Sequence, residues 1–125
     1  MLVDTDVLIW HLRGYQQAAQ RLDRLSGLTL SVINYLELIQ GMRNKSELVA
    51  PQRMLELRKA DVLPLTAVIT ERAVNLMETL DLSHGLQVAD ALIAATAIEH
   101  GLTLLSGNVK HFGSVEGLQI EHFKP

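Results

Sequence analysis

The fold is indicated first by the stretch LVDTDVLI at residues 2–9. Its apolar start predicts a short β-strand at residues 2–4, and the dense apolar residues at 7–12 predict a helix that follows after a turn. Asp4 and Asp6 therefore lie where a strand gives way to a helix. Because ligands of α/β proteins bind outside the carboxyl ends of the strands, this junction is a candidate position for chemistry.

The same alternation of strand and helix continues along the sequence. Further strands are predicted at residues 28–31, 61–65, 103–105 and 118–121, and further helices at 16–25, 31–43, 46–59, 66–80 and 87–100, with a loop at 81–87. This order predicts an α/β fold in three layers, α/β/α, with a short, mostly parallel sheet of four to five strands. Pro64 cannot donate to a strand ladder, so we expect its strand at an edge of the sheet.

Composition restricts the classes of function. The chain has 125 residues, 48% of them hydrophobic and 20% charged, which suits one globular domain over residues 1–125. It contains no cysteine, which excludes disulfides, thiolate zinc sites, iron–sulfur clusters and cysteine nucleophiles. Because the net charge is −3, binding to nucleic acid would need a metal ion or a local basic patch.

No segment of the sequence predicts an association with a membrane. The longest apolar stretch, near residues 91–98, is well short of the roughly 18 residues that a transmembrane helix requires. Asp4 and Asp6 interrupt the apolar region that a signal peptide would need. We therefore expect a cytoplasmic protein with no membrane partner.

Two further acids lie in unusually apolar surroundings. Asp90 is embedded in VADALIAA at residues 88–95 and Glu37 in YLELI at residues 35–39, with no lysine or arginine beside either. A buried carboxylate is costly unless something pairs with it, although Asp90 alone would also suit a helix N-terminus and Glu37 alone a solvated helix face.

The order of the elements brings these acids toward one edge of the predicted sheet. Together with Asp4 they would come from three separate strand–helix junctions, and crowded carboxylates should raise the pKa of at least one of them. Carboxylate oxygens are ligands that Mg2+ or Mn2+ prefers. Phosphodiester hydrolysis is the natural chemistry of such a site.

Four stretches also carry a family resemblance. They are LVDTDVLI (2–9), SVINYLELIQG (31–41), ADALIAATA (89–97) and SGNVKHF (106–112). In this order they resemble the PIN domain, and more narrowly the VapC toxins of bacterial type II toxin–antitoxin pairs. The resemblance implies a metal-dependent endoribonuclease that hydrolyses RNA, with Mg2+ or Mn2+ held by Asp4, Glu37 and Asp90. It also implies a VapB-like antitoxin as partner, which inserts a C-terminal segment into the active-site groove, and a homodimer.

The sequence departs from the family pattern at three positions. Asp6 stands where Asn is frequent, and it either adds a carboxylate or replaces a hydrogen-bonding side chain. His111 stands where an acid is frequent, and it would contact phosphate when protonated. Ser106 replaces Thr, with a hydroxyl available to Asp4 or to the scissile phosphate, and Asn108 would serve as a neutral ligand or orient water.

Two other functions remain open at the sequence level. A PIN-like binding module with little catalysis would follow if His111 had cost the site its metal. A haloacid-dehalogenase-like phosphatase is suggested by the Asp-Thr-Asp run at 4–6, but the downstream lysine and paired acids of that class are missing. Arg13, Arg43 and Lys45 are candidates for a patch that follows an RNA backbone, with solvated surface charge as the alternative.

Overall fold

The structure, a computed structural model, describes residues 1–80, 83 and 85–125. Five strands are present among these residues: Leu2–Val3 (β1), Thr29–Ser31 (β2), Asp61–Leu63 (β3), Leu104–Ser106 (β4) and Ile120–His122 (β5). The α-helices are Thr5–Leu12 (α1), Gln16–Asp23 (α2), Val32–Gln40 (α3), Val49–Leu57 (α4), Ala67–Thr79 (α5), Val88–Glu99 (α6) and Val109–Phe112 (α7). A 3₁₀ turn at Lys45–Leu48 precedes α4.

All five strands are parallel and lie in the order β3-β2-β1-β4-β5. The parallel sheet confirms the prediction, and β3 is at an edge, as expected from Pro64. The central strand β1 pairs with both β2 and β4, with Leu2 opposite Thr29 on one side and opposite Leu104 on the other. Residues that follow β1, β2 and β4 consequently meet at one edge of the sheet.

Helices cover both faces of the sheet and bury alternate strand residues. Leu2 and Leu104 belong to one apolar cluster, built mainly with α5 and α6. The next residue in each strand, Val3 or Leu105, belongs to the other cluster, built with α1 to α4. All four side chains are fully buried, and each such burial stabilises the fold by about 1.5–3 kcal/mol. This arrangement confirms the three-layer α/β/α fold.

Side-chain caps fix the start of several helices at strand ends. The Asp4 carboxylate accepts a hydrogen bond from the Thr5 amide, so α1 begins directly after β1. Ser31 and Asn34 form a capping box at the start of α3: the Ser31 hydroxyl accepts the Ile33 amide, and Asn34 Oδ1 accepts the Ser31 amide. Each cap satisfies amides that would otherwise lack a partner.

Some element boundaries differ from the prediction. The turn predicted before α1 is absent because Asp4 caps the helix, and the helix predicted at 46–59 is divided into a 3₁₀ turn and α4. The short helix α7 was not predicted; four residues are too few to show apolar periodicity. Of the loop predicted at 81–87, Asp81, Leu82 and His84 lie outside the described residues.

None of the helices in residues 1–80, 83 and 85–125 has the length and apolar character that crossing a membrane requires.

Candidate active site

Asp4 lies at the carboxyl end of β1 and is only 6% exposed. Its Oδ1 accepts hydrogen bonds from the Thr5 amide at 2.8 Å and from Asn34 Nδ2 at 3.2 Å. Its Oδ2 accepts the Ser106 hydroxyl, which donates at 2.7 Å from the end of the neighbouring strand β4. Three segments far apart in sequence therefore hold one buried carboxylate.

Burial raises the pKa of Asp4 from 3.8 to about 6. The hydrogen bond from Ser106 opposes this rise, while the charges of Asp6 and Glu37 add to it. The crowding expected from the sequence is therefore present, but removal of the carboxylate from water is the larger cause. Asp6 and Glu37 therefore each lie close enough to Asp4 for their charges to repel it.

Glu37 is joined to Asp4 through Thr5 and Asn34. The Thr5 hydroxyl donates to Glu37 Oε1 at 2.5 Å and accepts Asn34 Nδ2 at 2.9 Å. Asn34 is fully buried, and its Oδ1 accepts the Ser31 amide at 2.9 Å. Asn34 thus connects the ends of β1 and β2 to the start of α1, which orients Asp4 and Glu37 relative to each other.

Asp6 connects α1 to the loop after β4. Its Oδ1 accepts the Val7 amide and its Oδ2 accepts the Gly107 amide at 2.9 Å. Burial raises the pKa of Asp6, and these backbone hydrogen bonds oppose the rise. A Cβ at position 107 would stand 2.7 Å from Asp6 Oδ2, so a side chain there would displace the Asp6 carboxylate.

Asp90 lies in the first turn of α6 and has a separate set of partners. Its Oδ2 accepts the Gln87 amide at 2.9 Å, and His111 Nδ1 lies 3.2 Å from the same oxygen. Asn108 Nδ2 lies 2.9 Å from His111 Nδ1. His111 therefore contacts both Asn108 and Asp90, so these three predicted site residues lie together.

A continuous series of hydrogen bonds joins the two groups. The Asn108 amide donates to Ser106 Oγ at 2.9 Å, so the series runs from Asp4 through Ser106, Asn108 and His111 to Asp90. Within the described residues, Asp4 and Asp90 share no direct hydrogen bond. In the same part of the chain, no three histidine or acidic side chains are arranged as a ready metal-binding group.

A groove of about 530 Å³ adjoins Glu37. Its walls include Arg13 at the end of α1 and Arg43 after α3, which sequence analysis placed in a candidate basic patch. Arg43 also forms an ion pair with Glu47 at 3.1 Å. In the part of the chain that the structure describes, no lysine or arginine forms an ion pair with Asp4, Asp6 or Glu37.

Sequence comparison assigns the family. Residues 1–117 match the PIN domain. The chain belongs to the PIN domain family. It is 41% identical over 123 residues to ribonuclease VapC10 of Mycobacterium tuberculosis. The alignment covers 95% of this chain and 90% of that relative.

Solved structures share the fold of this chain. A toxin–antitoxin complex from Klebsiella pneumoniae matches with a TM-score of 0.74 and 28% identity, over 94% of this chain and 93% of that one. VapBC2 from Rickettsia felis, bound to a DNA fragment from its promoter, matches with a TM-score of 0.83 over 98% of both chains. The second is 20% identical and supports the fold alone.

Two polar residues of this PIN domain were missed by sequence reasoning. Thr5 and Asn34 make the hydrogen bonds that orient Asp4 and Glu37, yet neither carries a charge that draws attention. A signal was available for Asn34, because it is a polar residue three positions after the helix cap Ser31, at a site that the apolar face of α3 should occupy.

Proposed function

We propose that this chain is a metal-dependent endoribonuclease toxin that a VapB-like antitoxin neutralises. The relative from M. tuberculosis is named a ribonuclease, and the Klebsiella structure is a toxin–antitoxin complex. These comparisons support a PIN-domain ribonuclease held by an antitoxin. The observation that carries the proposal is Asp4, a deeply buried carboxylate that Asp6 and Glu37 repel and that forms no ion pair with a lysine or arginine among the described residues.

The residues of the site fit Mg2+ or Mn2+. Their donors are carboxylate oxygens, which hard divalent cations prefer, and burial of like charges makes a cation favourable there. We assign Asp4, Glu37 and Asp90 as the residues that hold the ion. A bound divalent ion supplies positive charge that stabilises the negative charge developing on a phosphoryl group.

The other residues of the site position the acids and the substrate. Ser106 holds Asp4 through its hydroxyl, and Asn108 sits between Ser106 and His111 with a side-chain amide able to orient water. The groove beside Glu37 gives RNA a path, with the exposed Arg13 available to phosphate. We further propose that residues 1–125 form a single PIN domain, that the protein is a homodimer and that it acts in the cytoplasm.

The test is cleavage of a structured RNA pool by purified protein in Mg2+, in Mn2+ and in EDTA. Cleavage should require metal and should fall at least about 1000-fold in Asp4→Asn and in Asp90→Asn, because each substitution removes a ligand charge. Asp61→Asn is the matched control, since Asp61 is an exposed acid at the start of β3. Cleavage by Asp90→Asn at the rate of the unsubstituted protein would contradict the proposal.

A binding module without catalysis is the second candidate. It is favoured by one observation, that no three histidine or acidic side chains among the described residues form a ready metal-binding group. A native state that binds metal must be stabilised by it through mass action. The ribonuclease proposal therefore predicts that Mn2+ raises the melting temperature and that Asp4→Asn removes the rise, whereas the binding module predicts no rise. The phosphatase alternative loses its support once the chain belongs to the PIN domain family.

A further inference from the structure

His111 makes the contact that gives Asp90 a second fixed donor. It lies on the short helix α7, and its side chain is 33% exposed while that of Asp90 is 13% exposed. His111 Nδ1 is 3.2 Å from Asp90 Oδ2, the same oxygen that accepts the Gln87 amide. Within the described residues, no hydrogen bond reaches the other oxygen, Oδ1. Among the described residues, one oxygen of Asp90 is thus hydrogen-bonded within the protein and the other accepts no hydrogen bond.

The hydrogen on Nδ1 can be assigned from the partners. Nδ1 carries at most one hydrogen, so it cannot both donate to Asp90 and accept from Asn108. Donation to the carboxylate is favoured because a charged acceptor makes the stronger hydrogen bond. Rotating the Asn108 side-chain amide by 180° exchanges its oxygen and nitrogen. Asn108 Oδ1 then accepts from the same N–H of His111, in place of the nitrogen.

Gly85 fixes the other side of the His111 ring. A Cβ built at Gly85 would lie 3.3 Å from both Cδ2 and Nε2 of His111, so the backbone at this position packs directly against the ring. Gly85 also has a φ of +77°, a conformation that side chains rarely adopt. With Gly85 beside Nε2, Nδ1 is the ring nitrogen that faces Asp90.

We propose that His111 is a positioning residue that orients Asp90 toward the divalent ion. This inference rests on the proposed function, because it assumes that Asp90 holds metal. Hydrogen-bond partners of metal ligands fix ligand orientation, and their loss typically weakens metal affinity about 10–100-fold. An acid at this position would instead place a second negative charge near Asp90 Oδ2. His111 therefore supports metal binding through its hydrogen bond to Asp90, although it replaces the acid that is frequent at this position.

The first experiment is calorimetric titration of the purified protein with Mn2+ alone. His111→Ala should weaken Mn2+ binding about 10-fold or more. His111→Asn should bind within about threefold of the unsubstituted protein, since its amide nitrogen occupies nearly the place of Nδ1, and rescue by a conservative variant is expected of a positioning role. His111→Gln reaches the place of Nε2 instead and should bind as weakly as His111→Ala. His100→Ala, at the exposed end of α6, is the matched control.

A double-mutant cycle tests whether the effect passes through Asp90. In an Asp90→Asn background, His111→Ala should produce no further loss of Mn2+ affinity, because the residue that it orients is already altered. Two-bond 1H–15N spectra of the metal-free protein supply a second readout. They should show hydrogen on Nδ1 of His111, with the signal assigned by its loss in His111→Asn.

Two glycine substitutions separate ring packing from backbone strain. Gly85→Ala and Gly117→Ala both place a side chain at positive φ, but a Cβ at Gly117 meets nothing within 4 Å. Both should lower the melting temperature, and only Gly85→Ala should also weaken Mn2+ binding. Equal Mn2+ affinity in the two variants would contradict the role of Gly85.

The outcomes distinguish this inference from the proposed function. If the unsubstituted protein does not bind Mn2+, the proposed function and this inference both fail. If it binds Mn2+ and His111→Ala binds equally well, the inference alone fails. A bare Nδ1 in the metal-free spectra would also overturn it, whatever the RNA cleavage activity.

Discussion

Asp4 and Asp90 stand at the two ends of one series of hydrogen bonds, but the protein holds them in different ways. Asp4 is 6% exposed and accepts hydrogen bonds from the side chains of Asn34, in α3, and Ser106, at the end of β4. Asp90 is held by the Gln87 amide three residues before it and by one partly exposed histidine. The Asp4 side depends on the packed core, whereas the Asp90 side depends on the start of α6 and on the short helix α7.

The largest effect on stability should come from Asn34. Asn34→Ala leaves the buried Ser31 amide without its acceptor and removes the donor to both Asp4 and Thr5. Because each buried group left without a partner costs roughly 1–3 kcal/mol, we expect a loss of about 4 kcal/mol in the free energy of unfolding, measured with urea. Asn75→Ala, on the exposed face of α5, should change it by less than about 0.5 kcal/mol. A loss below about 1 kcal/mol for Asn34→Ala would show that the two sides of the site are equally dispensable.

The next effect is the pH dependence that Asp4 imposes on the metal-free protein. Its pKa is raised from 3.8 to about 6 in the folded state, so folding favours the protonated form. The contribution of Asp4 to the free energy of unfolding is complete below about pH 4 and is lost as the pH rises through about 6. The difference between the two pKa values corresponds to about 3 kcal/mol.

Urea unfolding in EDTA between pH 4 and pH 7 measures this effect. The free energy of unfolding should fall across the range in the unsubstituted protein, and Asp4→Asn should lose most of that fall and be the more stable of the two at pH 7. Mn2+ should restore stability to the unsubstituted protein at pH 7, because a cation favours the ionised carboxylate. An unchanged pH profile in Asp4→Asn would refute the burial argument for this carboxylate.

Ser106 should have a smaller effect on the same side of the site. Ser106→Ala removes the hydrogen bond to Asp4 Oδ2, and a bond to a charged acceptor contributes about 1.5–3 kcal/mol. This hydrogen bond lowers the pKa of Asp4, so Ser106→Ala should raise that pKa further. The pH at which the free energy of unfolding stops falling should then be higher than in the unsubstituted protein. Ser106→Thr keeps the hydroxyl and should restore the original profile in the same unfolding series.

The smallest effect should come from the Asp90 side. Gln87→Ala removes an exposed side chain that takes part in the capping box of α6 and donates to the Gly85 carbonyl at 3.4 Å, but it leaves the backbone amide that donates to Asp90. We expect a loss of about 0.5–1 kcal/mol in the free energy of unfolding, the lower range for the loss of a helix cap. A loss comparable to that of Asn34→Ala would mean that the start of α6 is as tightly bound to the core as the end of β1.

The sequence predicted the sheet and the place of the acids because both follow from local patterns. Alternating apolar strands and helices require a parallel sheet, and Asp4, Glu37 and Asp90 stand out as charges in apolar surroundings. The parallel sheet was confirmed, and the role of these three acids stays a prediction. The direct step from β1 into α1 was missed because it depends on one hydrogen bond from the Thr5 amide to Asp4.

The connections between the acids could not be predicted. Asn34 bonds Asp4 across 30 residues and Ser106 bonds it across 102 residues, and no periodicity encodes such pairs. The sequence also gives no sign that Gly85 packs against His111, since that contact joins positions 26 residues apart. Long-range polar contacts of this kind emerge only from the packed fold.

The position of β1 in the sheet has a consequence for synthesis on the ribosome. β1 is the central strand, and its partner on one side, β4, begins at Leu104. A nascent chain that has reached Asp90 already carries all three candidate metal ligands, but the Ser106 hydroxyl that anchors Asp4 has not yet been made. Domains fold as units, so a partly made chain lacks a finished site. The ribosome can therefore complete almost the whole domain before its candidate site is able to form.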